Sequence, residues 1–213
     1  MKSVFLGPPG VCKGTQAERL CADRGLPHIS TGDILREARR NKTPVGIEAE
    51  SYMNAGRLVP DGVILKLVSD RLSKGDVAGG FVFDGFPRTV AQAEALEQTL
   101  KERRWALDHV IYFEATEEVI VRRISGRRVC EKCASTFHVE YSPPQHPNTC
   151  DHCGGPLAQR PDDAEASVRE RLRVYESTTT PLIGFYANRG VLRRVSADGD
   201  PDQVFEEMLA ELE

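Results

Sequence analysis

The sequence predicts a doubly wound α/β core, a parallel sheet interrupted by two inserted subdomains. Three observations predict it. Short apolar runs alternate with helical segments from the N-terminus onward, the pattern of parallel strands joined by helices. Two of those runs end in polar, glycine-bearing turns, at 7–15 and 84–89, which places their chemistry at one edge of the sheet. Two stretches, at about 30–59 and 127–163, break the alternation. A length of 213 residues suits one such core with insertions.

Residues 3–6 read as the first strand and residues 16–24 as the helix after it, stopped by Gly25-Leu-Pro27. Between them lies Gly7-Pro-Pro-Gly-Val-Cys-Lys-Gly-Thr15. Strand, glycine-rich turn and helix form a phosphate cradle: backbone N–H groups and the helix dipole face the anion, and Lys13 reaches the β and γ phosphates. The general pattern has a second glycine before the lysine and a hydroxyl directly after it. Here Cys12 takes the glycine position, and Gly14 separates Lys13 from Thr15. Taken alone, the loop could also be a tight turn with an exposed lysine.

Ser30 or Thr31 is expected to cap a helix starting near Gly32, with Asp33 in its first turn. Helical segments follow at 34–40, 45–54 and 63–73, the last capped by Asp61, so that 30–73 reads as helix without strands. Residues 80–83 form a buried-type strand ending at Asp84, on the same sheet edge as the 7–15 loop. An acidic residue there commonly holds Mg²⁺ directly or through water. A helix at 92–100, a third strand at 108–113 and a helix at 117–125 capped by Thr116 follow, with Gly126 ending the helix. After the second insertion the reading is a long helix at 163–179, another at 181–188, a last strand at 191–195 and a terminal helix at 201–212.

Within 127–163, Cys130-x₂-Cys133 and Cys150-x₂-Cys153 are separated by 16 residues, the spacing of a Cys₄ zinc site. Four thiolates fill a tetrahedron, so the metal is structural and supplies stability that a small insertion lacks. Disulfides are the rival, disfavoured in a cytoplasmic chain. Cys21 reads as a small core residue. The net charge of −4 does not advertise nucleic acid. Arginine makes up 21 of the 28 basic residues, which fits either a phosphate-binding cleft or a GC-rich genome. No signal sequence or membrane-length apolar run is visible, and a soluble cytoplasmic protein is expected.

Six motifs together resemble the adenylate kinase family in its long, zinc-containing bacterial type: Gly-Pro-Pro-Gly-x-x-Lys-Gly-Thr at 7–15, His-Ile-Ser-Thr-Gly-Asp at 28–33, Asp-Gly-Phe-Pro-Arg-Thr at 84–89, Gly-Arg-Arg at 126–128, Gln-Arg-x-Asp-Asp at 159–163 and Pro-Leu-Ile-x-x-Tyr at 181–186. The resemblance runs from Ser3 to Phe205. It implies a P-loop kinase fold whose core is 1–29, 60–126 and 164–213, with an AMP-binding insert at 30–59 and a zinc-containing lid at 127–163. It implies Mg²⁺-dependent, reversible phosphoryl transfer from ATP to AMP, giving two ADP, in a monomer.

Carried over residue by residue, the resemblance assigns the ATP phosphates to Gly10, Val11, Cys12, Lys13, Gly14 and Thr15. Arg123 and Arg127 would contact ATP, and Thr136, Phe137 and the backbone of Pro201 would complete its nucleoside site. AMP would be held by Thr31, Arg36, Gly85, Phe86, Pro87, Arg88, Gln92, Arg160 and Arg171, with backbone at Arg57, Leu58 and Val59 lining its base. Lys13, Arg88, Arg123, Arg160 and Arg171 would be catalytic, the last two clamping phosphates from the lid side. Asp84 would hold Mg²⁺ through water, and Asp162 and Asp163 would help the lid close. The logic is that phosphoryl transfer asks for positioning and charge stabilisation rather than a general base.

Cys12 is the departure from the family pattern. If its position needs φ > 0, cysteine is strained there, by about 1–3 kcal/mol, and the enzyme either tolerates it or is impaired. A thiol at a helix N-terminus beside Lys13 is also expected to be an activated thiolate. The rivals are another nucleoside monophosphate kinase, an AMP kinase using GTP, and, from another class, a zinc-ribbon nucleic-acid binder.

Overall fold

The computed structural model describes residues 1–212. The chain opens with β1 (Lys2–Leu6), α1 (Lys13–Arg24), β2 (His28–Ser30), α2 (Thr31–Arg40), α3 (Pro44–Asn54) and α4 (Asp61–Leu72). It continues with β3 (Phe81–Asp84), α5 (Val90–Glu102), β4 (His109–Glu114) and α6 (Glu117–Gly126). Three short strands follow, β5 (Arg127–Cys130), β6 (Thr136–His138) and β7 (Leu157–Ala158), then α7 (Glu165–Val174), α8 (Pro181–Ala187), β8 (Leu192–Ser196) and α9 (Pro201–Ala210).

The main sheet is parallel throughout, in the order β2-β3-β1-β4-β8. Successive side chains of a strand face opposite sides, and both sides are apolar here. Val4, Leu6, Phe81, Phe83 and Val110 pack beneath α2–α5 and α8. Phe5, Val82, Ile111, Phe113 and Val195 pack beneath α1, α6, α7 and α9. That alternation between two buried faces is what makes the sheet doubly wound, as the sequence predicts.

Register sets the functional edge. Phe5 pairs with Asp84, Ser30 with Asp84 and Leu6 with Tyr112. The loop after β1, the start of α2 and the end of β3 therefore lie side by side. A second, antiparallel sheet, β6-β5-β7, covers residues 127–158. Its buried cluster is only Cys130, Phe137, Cys150 and Leu157.

Several elements differ from expectation. Residues 28–30 form a strand that is too short for alternation to register; its partners come from β3. Asp61 is the first residue of α4 and not its cap, because its carboxylate is taken by Thr89 and Gln92. Thr116 stands at the start of α6 without a capping bond; its hydroxyl donates to Asp198 Oδ1 at 3.3 Å. The expected helix over 163–179 is instead a 3₁₀ turn at Pro161–Asp163, then α7, then a π-helical turn at Tyr175–Thr179.

Candidate active site

Two glycines shape the loop after β1. Gly7 lies at φ 145°, where a Cβ would sit 2.6 Å from the Phe113 carbonyl oxygen; Gly10 lies at φ 92°, where one would sit 2.8 Å from Ile124 Cγ1. Cys12 occupies the left-handed region, φ 62° and ψ 27°, as the residue before α1. An L side chain there costs about 1–2 kcal/mol. Burial raises the Cys12 thiol pKa and outweighs the opposing pull of Arg123, Arg127 and Lys13. The expected activated thiolate is therefore overturned: the cations are near, but loss of water dominates.

Lys13 Nζ donates to the Gly7 and Pro8 carbonyls, each at 2.8 Å. Burial pulls its pKa down to about 8, with Asp84 opposing and Arg88 and Arg171 adding to the fall. Asp84 Oδ2 stands 3.8 Å from His28 Nε2. Burial works against the Asp84 carboxylate, yet His28 and Lys13 hold its pKa below the usual range. Thr31 donates to the Gly85 carbonyl at 2.8 Å, and Arg36 forks onto Asp33 Oδ1 at 2.6 and 3.1 Å.

Arg88 is pinned along its backbone. Its N–H donates to Gln92 Oε1 at 2.8 Å, its carbonyl accepts from Thr179 Oγ1 at 2.9 Å, and its Nε donates to Gly85 O at 2.8 Å. Arg123 is buried and gives both Nη groups to main chain, Nη1 to Ala197 O at 2.6 Å and Nη2 to Gly199 O at 2.7 Å. The Pro201 carbonyl accepts from Gln16 and Arg19 at 2.9 and 3.0 Å, so α9 starts against α1.

From the second insertion, Arg127 forks onto Asp163, with Nε on Oδ2 at 2.8 Å and Nη2 on Oδ1. Arg171 Nη1 reaches Asp162 Oδ2 at 3.3 Å and Asp163 Oδ1 at 3.5 Å. Burial, with the repulsion of neighbouring guanidinium groups, brings the pKa of Arg160 and of Arg171 down to about 10. Cations crowded and desolvated in this way favour a polyanion that would share them.

These groups line two cavities, of about 430 and 80 Å³. The larger holds the loop residues Gly10 and Cys12–Thr15 with Asp84, Pro87, Arg123, Arg127, Thr136, Phe137, Arg160 and Pro201. The smaller is lined by Thr31, Arg57, Leu58, Val59, Gln92 and Asp162. Arg36, Arg88 and Arg171 border both, together with Gly32, Gly56 and Leu58, so three arginines stand where the cavities meet. Val11 and Phe86, expected at nucleotide, do not border either cavity: both are fully buried, Phe86 edge-on to Phe83. Each lies in a motif whose neighbours face the site, but its own side chain faces the core.

Sequence reasoning missed Glu18, His28, Tyr141, Tyr175 and Thr179. All but His28 line the larger cavity, and His28 stands behind Asp84. Glu18 could have been found from its place one helical turn beyond Gly14 on α1. Nothing in the sequence marks the two tyrosines or Thr179.

The four cysteines converge. Cys130 and Cys153 Sγ are 3.4 Å apart, Cys133 and Cys150 Sγ 3.5 Å, and all four sulfurs lie within 4.8 Å of one another. Tetrahedral zinc with bonds of about 2.3 Å needs sulfurs about 3.8 Å apart, so the set fits the ion. His138 is engaged elsewhere, accepting from the Glu140 and Tyr141 N–H groups at 3.0 and 3.1 Å.

A family model described as adenylate kinase matches residues 5–191. Relatives named adenylate kinase align over almost their whole length. One from Archaeoglobus fulgidus is 49% identical over 100% of this chain and 98% of its own. One from Methanothrix thermoacetophila is 48% identical over 98% and 96%, and one from Bacillus licheniformis 48% over 96% and 94%.

Proposed function

Because the chain belongs to the adenylate kinase family and is an ATP:AMP phosphotransferase, we propose that the larger cavity takes ATP, the smaller takes AMP, and the phosphoryl group crosses where they meet. The observation that carries this reading is the shared border formed by Arg36, Arg88 and Arg171. A donor γ-phosphate and an acceptor α-phosphate must come together in line, and guanidinium groups common to both sites hold them there.

In this reading Gly10, Cys12, Lys13, Gly14 and Thr15 cradle the donor phosphates, and Lys13 leaves its two carbonyls for them. Arg123 and Arg127 flank the donor, while Thr136, Phe137 and Pro201 border its nucleoside. Thr31, Arg36, Arg88 and Gln92 hold AMP, with Arg57, Leu58 and Val59 around its base, while Gly85 and Pro87 approach it from the border of the larger cavity. Arg88, Arg160 and Arg171 stabilise charge on the transferring group. An oxygen of the AMP phosphate attacks the γ-phosphorus, and the bond to the bridging oxygen of the departing ADP breaks. The acceptor is already an anion, so no general base is needed.

Mg²⁺ would be held through water at Asp84, whose ionised carboxylate and the donor phosphates suit a hard cation, and it would neutralise charge across the β and γ phosphates. Zinc at Cys130, Cys133, Cys150 and Cys153 would be structural. Segments 30–59 and 127–163 act as an AMP-binding insert and a lid on the remaining core. Asp162 and Asp163 hold the lid-side arginines in their closed arrangement, which excludes water as a competing acceptor. Among the described residues no helix is long and apolar enough to cross a membrane; a monomer acting in the cytoplasm is proposed.

The test is ADP formation from ATP and AMP with Mg²⁺, run beside Cys12→Gly and with GTP as alternative donor. Comparable rates for both chains support the assignment whole. Activity only in Cys12→Gly makes this chain an impaired enzyme. Activity with GTP but not ATP refutes the donor assignment.

A further inference from the structure

The π-helical turn at Tyr175–Thr179 closes with the Thr180 N–H donating to the Tyr175 carbonyl at 3.0 Å. Such a turn holds one residue more than an α-helical turn. Without it, every later position would rotate by about 100° about the helix axis. The turn follows α7, which carries Arg171, and it borders the larger cavity through Tyr175 and Thr179. Thr179 is 7% exposed. Its hydroxyl donates to the Arg88 carbonyl at 2.9 Å, across 91 positions of sequence.

That bond completes the hold on Arg88. The peptide unit before Arg88 is fixed by Gln92 Oε1 from α5, and the unit after it by Thr179. The guanidinium hangs between two anchored peptides and is steered by the Gly85 carbonyl at Nε. Thr178 Oγ1 lies 3.5 Å from Thr179 Oγ1 but does not reach Arg88; its hydroxyl turns back to the Val174 carbonyl at 2.6 Å. The widened turn presents one of two adjacent threonines to Arg88 and the other to its own helix.

We propose that Thr179 is a positioning residue for phosphoryl transfer. Its hydroxyl, presented by the π-helical turn, fixes the backbone from which Arg88 reaches the acceptor phosphate, and ties Arg88 to the helix that bears Arg171. This rests on the assignment of Arg88 to the acceptor site made above.

The experiment compares Thr179→Val, which keeps the shape and loses the hydroxyl, with Thr179→Ser, which keeps the hydroxyl. Steady-state kinetics are run with ATP and AMP varied separately, and AMP affinity is measured by calorimetry. Thr179→Val should lose about tenfold in kcat/KM for AMP, the factor of one hydrogen bond, with KM for ATP unchanged. Thr179→Ser should stay within about twofold of the unmodified chain, because its hydroxyl still donates. In an Arg88→Ala background, Thr179→Val should add almost nothing, since a residue acting through Arg88 has no effect once the guanidinium is gone.

Equal losses for ATP and AMP, a serine variant as impaired as the valine one, or full additivity with Arg88→Ala would each overturn the proposal. AMP binding by calorimetry with no ADP formed would refute the proposed reaction, while the Thr179 comparison would still be read from AMP affinity. No AMP binding by the unmodified chain would overturn both.

Discussion

Asp61 Oδ1 accepts the Gln92 side-chain amide at 2.7 Å, across 31 positions of sequence. A carboxylate only accepts, so it can meet Gln92 only at the NH₂ end. The carbonyl end is thereby turned to the Arg88 N–H. Asp61→Asn can donate as well as accept, so the amide loses its single orientation. We expect KM for AMP to rise about three- to tenfold, the range of one weakened hydrogen bond, with KM for ATP unchanged. A change shared equally by both nucleotides would refute this role.

Cys12 holds a backbone conformation that glycine adopts freely. Cys12→Gly relieves strain of about 1–2 kcal/mol and gives back about 0.5–1 kcal/mol in the entropy of the unfolded chain. A net gain of up to about 1.5 kcal/mol in urea unfolding is expected. The thiol itself should be slow: because its pKa is raised by burial, labelling at neutral pH should lag a small exposed thiol and speed up only as the solution becomes alkaline. Fast labelling at pH 7 would contradict the buried setting.

What could be read from the sequence divides by how the information is carried. The phosphate loop, Asp84, the arginines and the Cys₄ set lie in contiguous motifs whose residue types declare their chemistry, and they gather on one edge because parallel strands place their C-terminal ends together. Side-chain direction is not carried that way. Val11 and Phe86 sit inside motifs and point into the core, which only the twist of the surrounding loops decides. Asp61 obeys the local rule for a helix cap, but its tertiary partners Thr89 and Gln92 prevail. The π-helical turn leaves no mark in the sequence because one extra residue shifts the apolar period without erasing it.

Lys13 gives the site a pH response. Its pKa, near 10.5 when unperturbed, falls to about 8 by burial. Between those values the unfolded chain binds more protons than the folded one, so this group's contribution to stability rises with pH across the window. At pH 7 a buried ammonium is a cost that donor phosphates would offset, because their charge raises the Lys13 pKa. Near pH 8, ATP binding should therefore take up about half a proton at this group. Calorimetry in buffers of different ionisation enthalpy reads the uptake directly. Lys13→Arg, always charged, should abolish it; equal uptake by that variant would place the proton elsewhere.

With zinc held at the four cysteines as proposed, the second insertion should depend on it more than the core does. Its buried cluster is four residues, two of them Cys130 and Cys150 of the proposed zinc site, whereas the main sheet is buried on both faces. Chelation should release about one zinc per chain and lower the unfolding temperature, while most of the far-UV signal persists because, among the described residues, no α-helix lies within 127–163. The functional loss should be unequal. Arg127, Thr136 and Phe137, all on β5 and β6, border the larger cavity, whereas the smaller one takes Asp162 from this insertion and is otherwise lined from α2–α5, by Arg57, Leu58, Val59 and Arg88, and by Arg171 on α7. Metal-free protein should bind AMP nearly as the intact chain does and lose most of its affinity for ATP, both read by calorimetry. Retention of ATP affinity after complete zinc release would show that the lid strands hold their arrangement without the ion.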